Sequence, residues 1–336
     1  MLDNIYEIVD YKALAEHYIA RDGYIFIALT FPYNVFDAIL VRNPQGALCS
    51  CPLLPYSERS LDDHIELINN LKLEKAVIIA NNISFIEKCP SLKHLKIIPT
   101  DDCGDGFDYS PLYDMARLKS SSCITIYGKN EEYSTTVDFS RINGIEDIGV
   151  SNCNHLNYSG ITTLKSLGLS NFKEDDLKNA FSSVDLDTLM IIQSKLKTLD
   201  GIQKSRKIQC LYLYYNRALR DISALKEAKQ TLRALRIENC PRIDDFSVLG
   251  ELENLELLEL SGSNELPNLS FIKKMKKLKS FIFSMNVKDG DLSPCLSLSY
   301  VRSKKNRKHF NLKDSDLPKG NIVRGNENIE MWRRLE

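Results

Sequence analysis

Ile208-Gln209-Cys210-Leu211-Tyr212-Leu213-Tyr214-Tyr215-Asn216 places apolar residues at its first, fourth and sixth positions, with an asparagine three residues after the last. The same template stands 22 residues upstream at Leu186/Leu189/Ile191, and 22 further back at Leu164/Leu167/Leu169. Downstream it returns after 24, 23 and 23 residues, at Leu232/Leu235/Ile237, Leu255/Leu258/Leu260 and Leu278/Phe281/Phe283. Weaker copies begin at Leu73, Leu92, Ser121 and Ile145, and another at Leu298. About eleven turns thus cover residues 73–306, least regular at the ends, where a stack of repeats must cap itself.

The Leu-x-Leu part of each copy has the two-residue period of a strand. Stacking the copies gives a parallel sheet with neighbours about 4.8 Å apart. A second apolar set, such as Leu199/Ile202, Ile222/Leu225, Phe246/Leu249/Leu252 and Leu269/Ile272/Met275, closes the core from the convex side. Repeats of 22 to 24 residues leave room there only for a short helix or 3-10 turn. Glu174 to Phe181, acidic in its first turn, reads as the best short helix. Three residues past each strand a small polar side chain should satisfy buried backbone. That slot holds Asn81, Cys153, Asn216, Cys240 and Asn286, and elsewhere Thr100, Phe172, Ser194 and Ser263. Cys153 and Cys240 are therefore expected to be buried thiols, too far apart to bridge.

Six consecutive copies in register resemble leucine-rich-repeat proteins, specifically the short-repeat type of bacterial internalin-like chains, over roughly 70% of the sequence. The resemblance implies an α/β solenoid. It would be a right-handed superhelix with a parallel concave sheet of about eleven strands and a convex side of short helix, 3-10 or extended segments.

The ends depart from the repeat. Residues 1–70 read as an α/β N-terminal cap. It comprises a helix over Leu2–Ala20, strands at Tyr24–Thr30 and Val35–Val41, a third short strand after Asn43-Pro44-Gln45-Gly46, and a helix over Ser60–Leu71. The solenoid proper then runs over 71–312, and 313–336 forms a C-terminal flank in which Trp332 is the residue suited to packing. An insertion from Asp101 to Met115 should loop out.

Familiar chemistry fits poorly. Asp101-Asp102-Cys103-Gly104-Asp105-Gly106-Phe107-Asp108 starts like a calcium loop, but puts Cys103 at a ligand position and Leu112 where a bidentate glutamate belongs. Cys49-Ser50-Cys51 has the wrong spacing for zinc and no second pair. The five histidines form no HExxH-like cluster, and there is neither a Gly-rich phosphate loop nor a G-x-S-x-G elbow. No cofactor, metal or catalytic residue is expected, with an enzyme carried by residues 1–70 as an alternative. The nine scattered cysteines, the absence of a secretory signal and the lack of a long apolar run point to a cytoplasmic protein off the membrane, and a monomer is expected.

Charge is patterned although the net is only −1. Residues 238–265 carry a net −7, whereas 273–313 carry a net +10, including Lys276, Lys304 and Lys305. Adjacent turns of opposite sign either offset one another on a solvated surface or orient a partner. Nucleic acid is the alternative ligand for the basic turns, weakened by the acidic turns beside them.

Side chains flanking the apolar strand positions should point out of the concave face. They run from small residues (Gly149, Ser151, Ser166, Gly168, Ser170) to Met190, Ile192, Tyr212, Tyr214, Arg236, Glu238 and Glu259, then Ile282, Tyr300 and Arg302. The middle set reads as an exposed apolar and aromatic patch rimmed by charge, which is interface composition. The plainer reading is that Tyr and Ile suit strands. If the patch is exposed, Tyr212→Ala and Tyr214→Ala should cost little stability. The expected function is non-catalytic protein binding. The resemblance and the lack of chemistry make an inhibitor, such as an immunity protein for a bacterial toxin, its most concrete form.

Overall fold

A computed structural model describes residues 25–29, 36–40, 61–72, 75–80, 82–99, 107–113, 122–127, 137–142, 144–151, 156–157, 161, 163–180 and 185–323. They form two compact units, one ending at Thr163 and the other beginning at Leu164.

In the first unit, β1 (Ile25–Leu29) pairs antiparallel with β2 (Phe36–Leu40) and parallel with β3 (Lys75–Ala80). The parallel ladder continues through β4 (His94–Pro99), β5 (Ser122–Tyr127) and β6 (Ile145–Ser151). Helix α1 (Leu61–Leu71) buries Ile65 and Ile68. The strands read around residues 24–30 and 35–41 and the helix after Ser60 are all present. The helix over Leu2–Ala20 and the third short strand lie outside the described residues.

The insertion after Asp101 does not simply loop out. Its described part, residues 107–113, makes a 3-10 turn at Ser110–Leu112 with Tyr109 and Leu112 buried. The Tyr113 hydroxyl accepts a hydrogen bond from the Asp138 N–H at 3.0 Å. Two large apolar groups in that segment gain more in the core than in water. The acidic start of the insertion, 101–106, lies outside the described residues.

In the second unit, seven strands run parallel: β7 (Ser166–Ser170), β8 (Thr188–Ile192), β9 (Cys210–Tyr214), β10 (Ala234–Glu238), β11 (Leu257–Ser261), β12 (Ser280–Phe283) and β13 (Tyr300–Ser303). Leu167, Leu189, Leu211, Leu235, Leu258, Phe281 and Val301 occupy one register line. Each is 0% exposed. Burying such a side chain contributes about 1.5–3 kcal/mol, so this column is a principal source of the unit's stability. Each of the eleven template copies therefore supplies a strand, four in the first unit and seven in the second.

On the other side of the core, 3-10 turns begin at Ser223, Ser247, Ser270 and Ser293. In each, the serine N–H donates to the Asp or Asn side chain two residues earlier, at 2.7–2.9 Å. The repeated Asx-x-Ser satisfies an orphan donor at the start of the turn. The helix expected over Glu174–Phe181 is not formed, since residues 175–180 are bends and turns. Their backbone groups bond to the next repeat instead, with Leu177 N–H donating to Asp200 O and Lys197 N–H to Asp175 O.

The chain leaves successive strands through a left-handed residue: Asn171 (φ 54°), Gln193 (51°), Tyr215 (57°), Asn239 (53°) and Gly262 (144°). The amides of the first four donate to the carbonyl of the last residue in the neighbouring strand, Ile192, Tyr214, Glu238 and Ser261 respectively. The ladder thus extends one rung beyond the sheet. Left-handed geometry costs a non-glycine residue about 1–2 kcal/mol. Glycine would relieve most of that at exposed Gln193, against its own entropy cost. Gln193→Gly should raise the melting temperature by a few degrees. A lower value by calorimetry would mean that the glutamine side chain contributes more than its backbone strain costs.

The polar slot past the strand works as expected at Asn216. Its Nδ2 donates to Ile191 O at 2.9 Å, and its Oδ1 accepts from Ser194 N–H (2.9 Å) and Ser194 Oγ (2.6 Å). Cys240 is a buried free thiol facing Leu213 O at 3.8 Å, and burial pushes its pKa up to about 11. One assignment moves by a residue. Ser263 is exposed, and Asn264 fills the slot, donating to Cys240 O (3.1 Å) and Ile243 O (2.7 Å). Gly262 supplies the extra residue that shifts it. Asn286 donates to the Glu265 side chain instead of buried backbone. Asn81, Thr100 and Cys153 lie outside the described residues. No helix among the described residues is long and apolar enough to cross a membrane.

Candidate protein-binding face

Side chains on the sheet face opposite the core of the second unit (its concave face) fall into three rows. The second row runs Gly168, Met190, Tyr212, Arg236, Glu259, Ile282, Arg302, and the third Ser170, Ile192, Tyr214, Glu238, Ser261. The register therefore brings Met190, Ile192, Tyr212, Tyr214, Arg236, Glu238 and Glu259 onto four adjacent strands. Of a first row, Ser166, Thr188, Cys210, Ala234, Leu257, Ser280 and Tyr300, the sequence placed only Ser166 and Tyr300 on this face. Running the period-two alternation one step further back in each copy would have found the others.

The exposure expected for the patch is overturned. Met190 is 3% exposed, Ile192 8%, Tyr212 2% and Tyr214 3%. The large side chains cover one another's flanks, because adjacent strands bring directly opposed groups within contact distance. The Tyr212 and Tyr214 rings stack with centroids 6.3 Å apart and planes at 16°. The Arg236 guanidinium carbon lies 5.2 Å from the Tyr212 ring centroid, a cation–π distance. Burial raises the Tyr212 phenol above its ordinary range, so the hydroxyl stays neutral.

Charges at the rim are engaged as well. Glu259 lies 3.5 Å from Arg236 and 2.5 Å from Lys304, whose ammonium also donates to Ser261 Oγ at 3.2 Å. Tyr215 donates its hydroxyl to Glu238 at 3.3 Å. Away from the face, Glu256 pairs with Arg233 (2.8 Å) and Lys279 (2.7 Å), and Lys288 with Glu265 (3.8 Å). Acidic and basic turns thus neutralise each other across the ladder at these positions. Such half-exposed pairs each contribute about 0–1 kcal/mol, so they shape the surface potential more than they hold the fold.

The second and third rows of this face hold stacked phenols, a guanidinium and carboxylates packed against one another. No protein-family model matches the sequence, and no curated protein matches it. Among solved structures the chain is similar to an internalin (inlF) from Listeria monocytogenes str. 4b F2365, with 15% sequence identity and a TM-score of 0.47 over 78% of this chain and 77% of that one. The in-register ladder of Leu-x-Leu strands, each closed by a short convex turn, is that of a leucine-rich-repeat solenoid.

Proposed function

We propose that the chain is a non-catalytic protein-binding module whose partner engages the concave face around Met190, Ile192, Tyr212, Tyr214, Arg236, Glu238 and Glu259. The observation that carries this reading is the tyrosine–arginine assembly built by two adjacent strands, the residue types that dominate interface energetics. A protein fits better than nucleic acid, because Lys279, Lys288 and Lys304 each lie within 4 Å of a carboxylate of this chain. Phosphates would have to break those pairs. Buried, unbridged thiols at Cys89, Cys240 and Cys295 support a reducing compartment such as a cytoplasm. Tight sequestration of one partner, as an immunity protein does to a toxin, is the specific role that a preorganised face would serve.

The test is Glu238→Arg, a half-buried rim position that leaves the apolar core alone. Measured against the partner recovered from native cells, affinity should fall about tenfold or more, or 1.4 kcal/mol, at an unchanged melting temperature. Undiminished affinity would place the interface elsewhere. Loss of binding between low and moderate salt by orders of magnitude in both proteins would instead indicate nucleic acid.

A further inference from the structure

Just past β9 the chain exposes a tyrosine in a backbone conformation that does not suit one. Tyr215 has φ 57° and is 41% exposed. Its counterparts in the neighbouring turns are Asn171, Gln193, Asn239 and Gly262. Asparagine and glycine enter left-handed geometry most readily, and a bulky ring does not. Among the described residues three large apolar or aromatic side chains are exposed, Tyr215, Leu296 and Ile322, and of these only Tyr215 carries a ring. Its hydroxyl donates to Glu238 at 3.3 Å, which ties the ring to the rim of the concave face. An exposed ring adds little to the core, and strain that the fold does not use collects at functional sites.

The charge around that ring is of one sign. The turns that leave β8 and β9, residues 193–198 and 215–220, hold Lys195, Lys197, Arg217 and Arg220 and no acidic residue. Hydrogen bonds from Ser194 to the Asn216 side chain set the two turns side by side, with Lys195 and Arg217 in equivalent places. Lys197 is engaged by Asp175 at 2.7 Å. Lys195, Arg217 and Arg220 are exposed and pair with no carboxylate among the described residues. Acidic residues return in the flanking turns, at Glu174 on one side and at Asp244 and Asp245 on the other, so the basic field is confined to the turns around Tyr215. Like charges on adjacent turns repel, and an anionic ligand would relieve that repulsion. We propose that Tyr215, Lys195 and Arg217 form a docking point for an acidic segment of a protein partner that also carries apolar side chains. The ring takes an apolar group and the cations take the carboxylates, an aromatic anchor with an electrostatic rim. The docking point rests on the reading of the chain as a protein binder, but it does not need the buried tyrosines to be reachable.

The probe is a short fluorescein-labelled peptide of alternating leucine and glutamate, titrated against the full-length chain by polarisation. Lys195→Glu/Arg217→Glu should weaken its binding about tenfold or more. Lys276→Glu/Lys277→Glu, the same change of charge on an exposed convex turn, should weaken it little. Tyr215→Asn, which suits the left-handed turn, should keep or raise the melting temperature and still weaken binding about tenfold or more. No binding by the unmodified protein, equal losses in the two charge-reversed chains, or full binding by Tyr215→Asn would each overturn the docking point. Tighter binding of single-stranded oligothymidine than of the peptide, lost in the same variants, would make the ligand nucleic acid and overturn it as well. Should the charge-reversed chain unfold, Tyr215→Asn decides. With the partner recovered from native cells, a loss in Tyr215→Asn but not in Glu238→Arg would retain the docking point and discard the concave interface. The converse would retain the interface and discard the docking point.

Discussion

Asn216→Ala should lower the unfolding free energy of the second unit by about 3 kcal/mol or more, although it removes neither a charge nor an apolar group. Asn216 is 0% exposed and closes three hydrogen bonds on the preceding repeat, one donated to Ile191 O and two accepted from Ser194. Alanine leaves that carbonyl, an amide and a hydroxyl without their partner where water cannot reach. A buried group left unmatched costs about 1–3 kcal/mol. Asn216→Asp is expected to be no milder, because it keeps the acceptor but turns a carboxylate towards the Ile191 carbonyl. Since a stack of repeats is stabilised by its nearest-neighbour interfaces, the damage should spread from the junction of β8 and β9. Urea denaturation followed by circular dichroism measures it. A loss under 1 kcal/mol would mean that a water replaces the amide.

Why Asn216 was legible and other features were not follows from what a repeat reports. A large apolar residue recurring at one offset over six copies, leucine in five of them at the strand centre, has a single geometric explanation, so strand position, register and core column could all be read from spacing. An asparagine at a fixed offset after a strand has an equally narrow explanation, and at Asn264 the reading slipped only because Gly262 adds a residue to that turn. The Asx-x-Ser starts of the convex turns are just as periodic, in Asp221-Ile222-Ser223, Asp245-Phe246-Ser247, Asn268-Leu269-Ser270 and Asp291-Leu292-Ser293. The apolar period does not report them, because these polar residues lie outside its offsets. The helix over 174–181 failed for another reason. Local propensity favours it, but the backbone there finds its partners in the adjacent repeat, which no single-segment pattern encodes.

Exposure is the quantity that periodicity cannot supply. Alternation places Tyr212 and Tyr214 opposite the core and says nothing about what lies over that face. The small side chains of β7, the stacked rings of β9 and the guanidinium of β10 come together only through the register. The first row is equally silent in sequence, because Thr188, Cys210 and Ala234 resemble ordinary strand residues until Val323 is found against the same row.

The burial reverses the sequence-level expectation for the tyrosines. With 2% of Tyr212 exposed, Tyr212→Ala removes a ring packed against Tyr214 and Arg236 and leaves a cavity on the concave face. Truncating a buried aromatic ring typically costs about 3–5 kcal/mol, so roughly 3 kcal/mol is expected here, where the neighbours are long side chains able to collapse partly into the space. Tyr212→Phe keeps the ring and the stack and deletes only the hydroxyl, for about 1 kcal/mol. The two substitutions separate packing from recognition. Thermal and urea unfolding should show a large loss for alanine and a small one for phenylalanine. Partner affinity is then interpretable only in the phenylalanine protein, which should lose several-fold if the phenol contacts the partner and nothing if the ring merely supports Arg236. Tyr212→Ala unfolding within 1 kcal/mol of the unmodified protein would show that the face is open in solution and the ring free to leave it.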